Sequence, residues 1–254
     1  MKGSDMKFAI TPCPNDTFSY YRLISEGGGP LGLEFETRDI ETLNTLAFSG
    51  AYPVTKLSFP AYMANSGKYE LLDAGAALGI GTGPVLVARR GWKGGKVAVP
   101  GLNTTAAALY RFYAGGEAEV FPMLFSDILP AFEAGKIDAG VLIHEGRFVF
   151  ADYGLKLVCD LGNFWTEKTG LPVPLGCICV RRDFAHLKAE LEGEIRRSLD
   201  YAFAHFEETL PLVRSRARHL APEVLKKHIF AFVNEYSRDI SAISGRLLEN
   251  LSGK

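Results

Sequence analysis

Four times along the chain a short β-prone run is followed by a turn of small or polar residues and then by a segment with helical apolar spacing. That alternation confines the fold to the α/β class. The first unit is Lys7 to Ile10, then Thr11-Pro12-Cys13-Pro14-Asn15-Asp16-Thr17, then a predicted helix from Phe18 to Ser25 that Gly27-Gly28-Gly29-Pro30 stops. The second is a strand at Tyr52 to Thr55, then Lys56-Leu57-Ser58 and a helix from Phe59 to Asn65. The third is Val97-Ala98-Val99, then Pro100-Gly101-Leu102-Asn103-Thr104-Thr105, then a helix from Ala106 to Tyr113. Ahead of the fourth strand, Ser126 is the expected cap of a helix running to Ala134, with Gly135 as its stop. That strand, Ala139 to Ile143, delivers His144-Glu145-Gly146-Arg147.

Between the second and third units, Leu78-Gly79-Ile80-Gly81-Thr82-Gly83-Pro84 offers the glycine spacing of a nucleotide loop, but in the wrong context. A dinucleotide fingerprint follows a strand and opens a helix, whereas these glycines precede the strand Val85-Leu86-Val87-Ala88. They read as a bend feeding an interdomain strand. A second apolar strand, Leu175 to Val180, precedes a largely helical tail from Phe184 to Leu251. Two such crossings predict a discontinuous lobe of residues 1 to 88 and 175 to 254, a second lobe of residues 89 to 174, and a ligand cleft between them. In the tail, Ile195, Leu199, Ala202, Phe203 and Phe206 fall on one helical stripe, expected to pack against the first lobe.

Charge excludes several function classes. The 28 Lys and Arg nearly cancel the 29 Asp and Glu, so no global field draws the protein to nucleic acid or an anionic membrane. Any anion must be caught by local geometry. Residues Met1 to Ile10 lack the apolar core of a signal peptide and no stretch reaches a membrane-spanning length, which makes the cytoplasm the expected location. Of the four cysteines, Cys13, Cys159, Cys177 and Cys179, none forms a C-x-x-C unit, and a structural role is expected. No G-x-S-x-G elbow, Walker loop or cysteine nucleophile with an evident histidine partner appears.

In open α/β sheets ligands gather beyond the carboxyl ends of strands, so the polar residues of the four turns are expected to converge. Asn103-Thr104-Thr105 at a helix start presents free N–H groups suited to a carboxylate or phosphate, and equally suits simple capping. Lys56 reads as a ligand group or as a solvated lysine, and Ser58 as a ligand group or a cap. The prolines stiffen the turn that carries Asn15 and Asp16, which either serve a site or close an Asx-type turn. His144 follows an apolar strand at the predicted cleft, where a neutral imidazole accepts a proton near neutral pH. The other reading is a structural histidine, with Glu145 either orienting it or pairing with Arg147. His186, His205, His219 and His228 belong to the tail and show no metal-ligand spacing, so no metal is expected.

These motifs also resemble the 1,4-dihydroxy-6-naphthoate synthase family of the futalosine route to menaquinone. The resemblance covers Thr11 to Phe18, Val54-Thr55-Lys56-Leu57-Ser58-Phe59, Ala76-Ala77-Leu78-Gly79 with Gly83-Pro84, Asn103-Thr104-Thr105, Asp138 to Phe148, Trp165 and Thr169 to Gly176. It runs from about residue 7 to 183, with Thr11 where the family pattern has Ser and Pro60 where it often has His. It implies a two-lobed periplasmic-binding-protein type II-like fold, and an enzyme converting cyclic dehypoxanthine futalosine to 1,4-dihydroxy-6-naphthoate without nucleotide or metal. By the same resemblance Lys56, Leu57 and Ser58 with Thr104 and Thr105 hold a small carboxylated substrate, with Asn15 and Asn103 beside them, and His144 is the base. Two rivals are a solute-binding protein of the same fold and a chorismate dehydratase-like enzyme.

Overall fold

In the computed structural model, which describes residues 6–115, 118–144, 146–217 and 221–252, the strands form two sheets joined by two chain crossings. The first sheet holds β1 (Lys7–Ile10), β2 (Glu34–Thr37), β3 (Val54–Ser58), β4 (Tyr69–Leu71), β5 (Ala77–Gly79) and β11 (Val173–Arg181). The second holds β6 (Val85–Ala88), β7 (Val97–Val99), β8 (Val120–Pro122), β9 (Ala139–Leu142) and β10 (Lys156–Asp160). The first runs in the order β2-β1-β3-β11-β4, with β5 also paired to β11, and the second in the order β10-β6-β9-β7-β8. In the first sheet β1, β2 and β3 are parallel and the late strand β11 returns antiparallel to β3. In the second, β7 is parallel to β8 and β9, while β6 is antiparallel to β9 and β10.

Helices cover the faces between strands. α1 (Pro14–Ser19) and α2 (Tyr21–Ser25) follow β1, α3 (Ile40–Ala47) follows β2, and α4 (Phe59–Ala64) follows β3. In the second lobe come α5 (Thr105–Ala114), α6 (Phe125–Glu133), α7 (Gly146–Val149) and α8 (Leu161–Thr169). The tail folds into α9 (Lys188–Ala204), α10 (Phe206–Arg216), α11 (Pro222–Phe232), α12 (Glu235–Arg238) and α13 (Ser244–Leu251). Leu191, Ile195, Leu199, Leu225 and Ile229 of the tail share one core with Phe8, Ile10, Phe18 and Ile178 of the first sheet. Each such burial is worth about 1.5–3 kcal/mol, so the tail is a structural part of the first lobe. Phe203 is the exception in the expected stripe: it is 39% exposed and meets Phe18 edge-on.

Local departures from the sequence reading have local causes. The helix after β1 starts at Pro14, four residues earlier than expected, because proline at the first helical position has no N–H to lose and its φ is already helical. Asn15, Asp16 and Thr17 are therefore buried first-turn residues instead of loop residues. β3 extends to Ser58, so Lys56 and Ser58 stand on the strand itself. Ser126 makes no cap, since α6 begins one residue ahead of it. Residues 85–88 pair wholly with β9 and β10, so the expected edge of the first lobe at residue 88 falls inside the second sheet. Among the described residues no helix is long and apolar enough to cross a membrane.

The glycine-spaced segment has a steric explanation. A Cβ on Gly83 would stand 2.7 Å from the Gly162 Cα, a contact side chains do not make, so the crossing backbone lies directly against the start of α8. Gly79 and Gly83 serve close backbone approach at the crossover, while Gly81 takes a left-handed turn with φ of 61°.

Candidate active site

The carboxyl ends of β1, β3, β7 and β9 face a cleft of about 670 Å³ between the two sheets, lined among others by Asn15, Lys56, Ser58, Thr104, Thr105, Ala106, His144 and Arg147. Strand alternation sorts the second motif. Lys56 and Ser58 face the cleft, while the Leu57 side chain turns to the opposite face and is fully buried in a core with Phe59 and Tyr69. A Cβ on Gly176 of the adjacent β11 would come within 2.8 Å of Lys56 Cε, so the missing side chain there makes room for the lysine.

Lys56 ends against Asp16, a pair with only 8% and 3% of the side chains exposed. The Asp16 carboxylate also accepts the Thr11 N–H (3.0 Å), the Thr11 hydroxyl (2.5 Å) and the Asn15 amide (2.8 Å). Four donors on one carboxylate, in the first turn of a helix whose dipole favours negative charge, compensate its burial. Ser58 is held by Asn44 of α3, which accepts the Ser58 N–H at 2.9 Å and donates to its hydroxyl at 3.0 Å. Asn44 was not singled out in the sequence. Its only signal there is a polar residue between the apolar Leu43 and Ala47, the positions α3 buries.

At the start of α5, Thr104 is the N-cap: its hydroxyl oxygen accepts the Ala107 N–H at 3.2 Å and its O–H goes to the Gly101 carbonyl at 2.7 Å. The Thr105 hydroxyl donates to the carbonyls of Pro174 (2.7 Å) and Leu175 (3.0 Å) at the start of β11. Both hydroxyls are thus committed, and what α5 offers the cleft is the first-turn N–H of Thr105 and Ala106, which helix geometry leaves without intrahelical acceptors. Asn103 is turned away from the cavity. Its amide nitrogen donates to Glu41 Oε1 at 2.8 Å, its N–H meets the same carboxylate at 3.2 and 3.3 Å, and its carbonyl accepts from Asn44 at 3.4 Å.

His144 stands two residues beyond β9 with φ of 50°, the only positive φ outside glycine among the described residues. That left-handed turn swings the imidazole off the strand line and into the cleft, a conformation uncommon for a side-chain-bearing residue but several-fold less so for histidine. Phe125 of α6 meets the ring edge-on at 5.1 Å, and Cys13 Sγ lies 3.7 Å from both ring nitrogens. The sequence reading found no cysteine with a histidine partner. The two residues are 131 positions apart, and only the packing of the two lobes brings them together. Glu145 lies outside the described residues. Arg147 donates to the Thr82 hydroxyl, the Gly83 carbonyl and Asp160 (3.3 Å), which ties the end of β9 to the crossover. Burial lowers the Arg147 pKa, and Asp160 opposes that effect.

Sequence reasoning also missed His228 as a residue of the site. Read as part of the helical tail, it lies on α11 with 1% exposure, its ring stacked on His144 at 5.6 Å and 20° and its Nε2 3.1 Å from Asn15 Oδ1. Burial, with smaller contributions from His144 and Lys56, holds its pKa well below the ordinary imidazole value.

Comparison with known proteins adds identity to this geometry. A family model described as menaquinone biosynthesis matches residues 6–251. The chain is 43% identical over 251 residues to the 1,4-dihydroxy-6-naphthoate synthase of Thermus thermophilus, covering 97% of this chain and 92% of the relative. A crystal structure of an Archaeoglobus fulgidus protein superposes with a TM-score of 0.90 at 36% identity, over 97% of this chain and 95% of that one. The alkanesulfonate-binding protein of Xanthomonas axonopodis pv. citri, solved with MOPS, superposes with a TM-score of 0.67 at 11% identity, over 98% of this chain and 90% of the other. At that identity the likeness is one of fold, that of the two-lobed periplasmic binding proteins.

Proposed function

The chain belongs to the menaquinone-biosynthesis family, and on that premise we propose that it is a lyase converting cyclic dehypoxanthine futalosine to 1,4-dihydroxy-6-naphthoate, with His144 as the base. The observation that carries the assignment of the base is the convergence of His144 with Lys56, Ser58 and the start of α5 on a single cleft. The substrate carboxylate docks on the Thr105 and Ala106 N–H groups, where the positive end of the helix favours an anion. Lys56 adds positive charge from the opposite wall, held in place by Asp16. With the substrate so oriented, the neutral imidazole of His144 removes a substrate proton, and the electron pair released drives bond cleavage and loss of the ribose remnant. Aromatisation of the naphthoate ring pulls the sequence forward. Closure of the lobes excludes water and aligns the proton with the imidazole.

A solute-binding role and a chorismate dehydratase activity fit the fold but are disfavoured by the named relative. A cytoplasmic place of action belongs to the same reading, supported by free thiols at all four cysteines, Cys13, Cys159, Cys177 and Cys179.

The test is incubation of the purified protein with cyclic dehypoxanthine futalosine, with detection of the naphthoate by absorbance and mass. Product is expected from the wild type, and His144→Ala is expected to bind substrate while kcat falls about 10²- to 10⁴-fold. Normal turnover by that variant removes His144 as base. Substrate bound but unchanged by the wild type supports the solute-binding role, and dehydration of chorismate supports the other rival.

A further inference from the structure

We propose that His228 is a positioning residue of this reaction, a buried imidazole on α11 that fixes the ring plane of His144 on one side and the Asn15 amide on the other. The inference rests on His144 as the base.

The hydrogen bonds determine its tautomer. Asn15 Nδ2 donates to the Asp16 carboxylate, which accepts only, so the Asn15 oxygen is the atom that faces His228. An amide oxygen also only accepts, and the proton of the imidazole must therefore sit on Nε2. Nδ1 is left as a bare lone pair, buried and without a hydrogen-bond partner among the described residues. Its neighbours on α11, Leu225, Ile229 and Phe232, are apolar, and Phe232 packs edge-on against the ring at 4.9 Å. An apolar residue would leave the buried Asn15 oxygen without its donor, so the Nε2 edge of the ring answers to Asn15 and the face of the ring needs a reason of its own.

The contact with His144 supplies it. Two rings 20° from parallel on one side, with Phe125 edge-on, restrict rotation of the His144 ring about its side-chain bonds. Charge follows the same logic. The titratable and charged groups around the pair are Lys56 of β3, Asp16 of α1, Cys13 ahead of α1 and Arg147 of α7. Burial, with smaller contributions from His144 and Lys56, holds the His228 pKa well below the ordinary imidazole value. When His144 takes the substrate proton, its imidazolium then meets the face of an uncharged ring instead of a second cation.

Two substitutions separate the two contacts. His228→Phe keeps an aromatic ring against His144 and loses the Nε2 donor, while His228→Gln keeps an N–H for Asn15 and loses the ring. Both are expected to bind substrate as the wild type does and to lose kcat by about 10- to 100-fold, the scale of an imperfectly placed base, with the acid limb of the kcat/KM profile displaced. Wild-type kcat and an unmoved acid limb in both variants, with His144→Ala inactive, overturn the inference and leave the base intact. Normal turnover by His144→Ala instead removes the base itself. Nitrogen-15 histidine NMR of the wild-type protein tests the tautomer without any variant: one imidazole is expected to stay neutral and protonated at Nε2 throughout the range in which free imidazole titrates. If all histidines titrate normally, the inference is overturned.

Discussion

Asp16 and Lys56 are buried side by side, and their energetics are those of a pair that is costly to break and modest in net worth. Asp16→Asn removes the charge that Lys56 faces and is expected to lower stability by about 3–5 kcal/mol in urea denaturation. Adding Lys56→Met to that variant is expected to recover part of the loss, because it also removes the stranded ammonium. His228 sets a pH dependence of its own. Its pKa is depressed in the fold, so the unfolded chain binds the extra proton, and the stability contribution is complete above the ordinary value of 6.5 and lost as the pH falls below it. Below pH 6.5 the wild type is expected to lose up to about 1.4 kcal/mol per pH unit from this group. His228→Phe is expected to flatten that slope when denaturation midpoints are compared across pH. At this scale Lys56, Ser58, Thr104, Thr105 and His144 were legible as polar residues at strand ends. Asn44, Glu41 and His228 were not, because each sits in a helix pattern that explains it without a site.

The start of α5 is the element on which the expected anion site and the stability of the helix meet. Thr104→Ala removes the acceptor of the Ala107 N–H and is expected to cost about 1 kcal/mol of stability, with Thr104→Ser close to the wild type. Calorimetry checks the first effect, and a raised KM for both stability-matched comparisons would show that the turn itself has shifted. The sequence placed this start well, since a cap, a glycine and an apolar run all agree. It placed the start of α1 four residues late, because Pro14 looks like loop chemistry until its position at the first helical residue is seen. That error hid the fact that Asn15 and Asp16 are held by a helix turn against β3.

Across the whole molecule, the two lobes meet through Glu41. Its carboxylate on α3 takes the N–H and amide of Asn103 from the other lobe, beside the hydroxyl of Thr105 on the β11 carbonyls and His144 against Cys13 and His228. Glu41→Ala is expected to loosen this contact and to increase the radius of gyration measured by small-angle scattering without ligand, with substrate restoring the compact form. An unchanged radius would show that the remaining contacts hold the lobes unaided. By itself the sequence determined the α/β class, the order of the strand-to-helix units and the family, because periodicity, glycine and proline act locally and motifs are contiguous. Only the tertiary structure decided that Leu57 faces the core, that Asn103 turns to Glu41, and that a histidine of the tail lies on His144. These are contacts between residues far apart in the chain, made by packing two lobes together, and no local pattern encodes them.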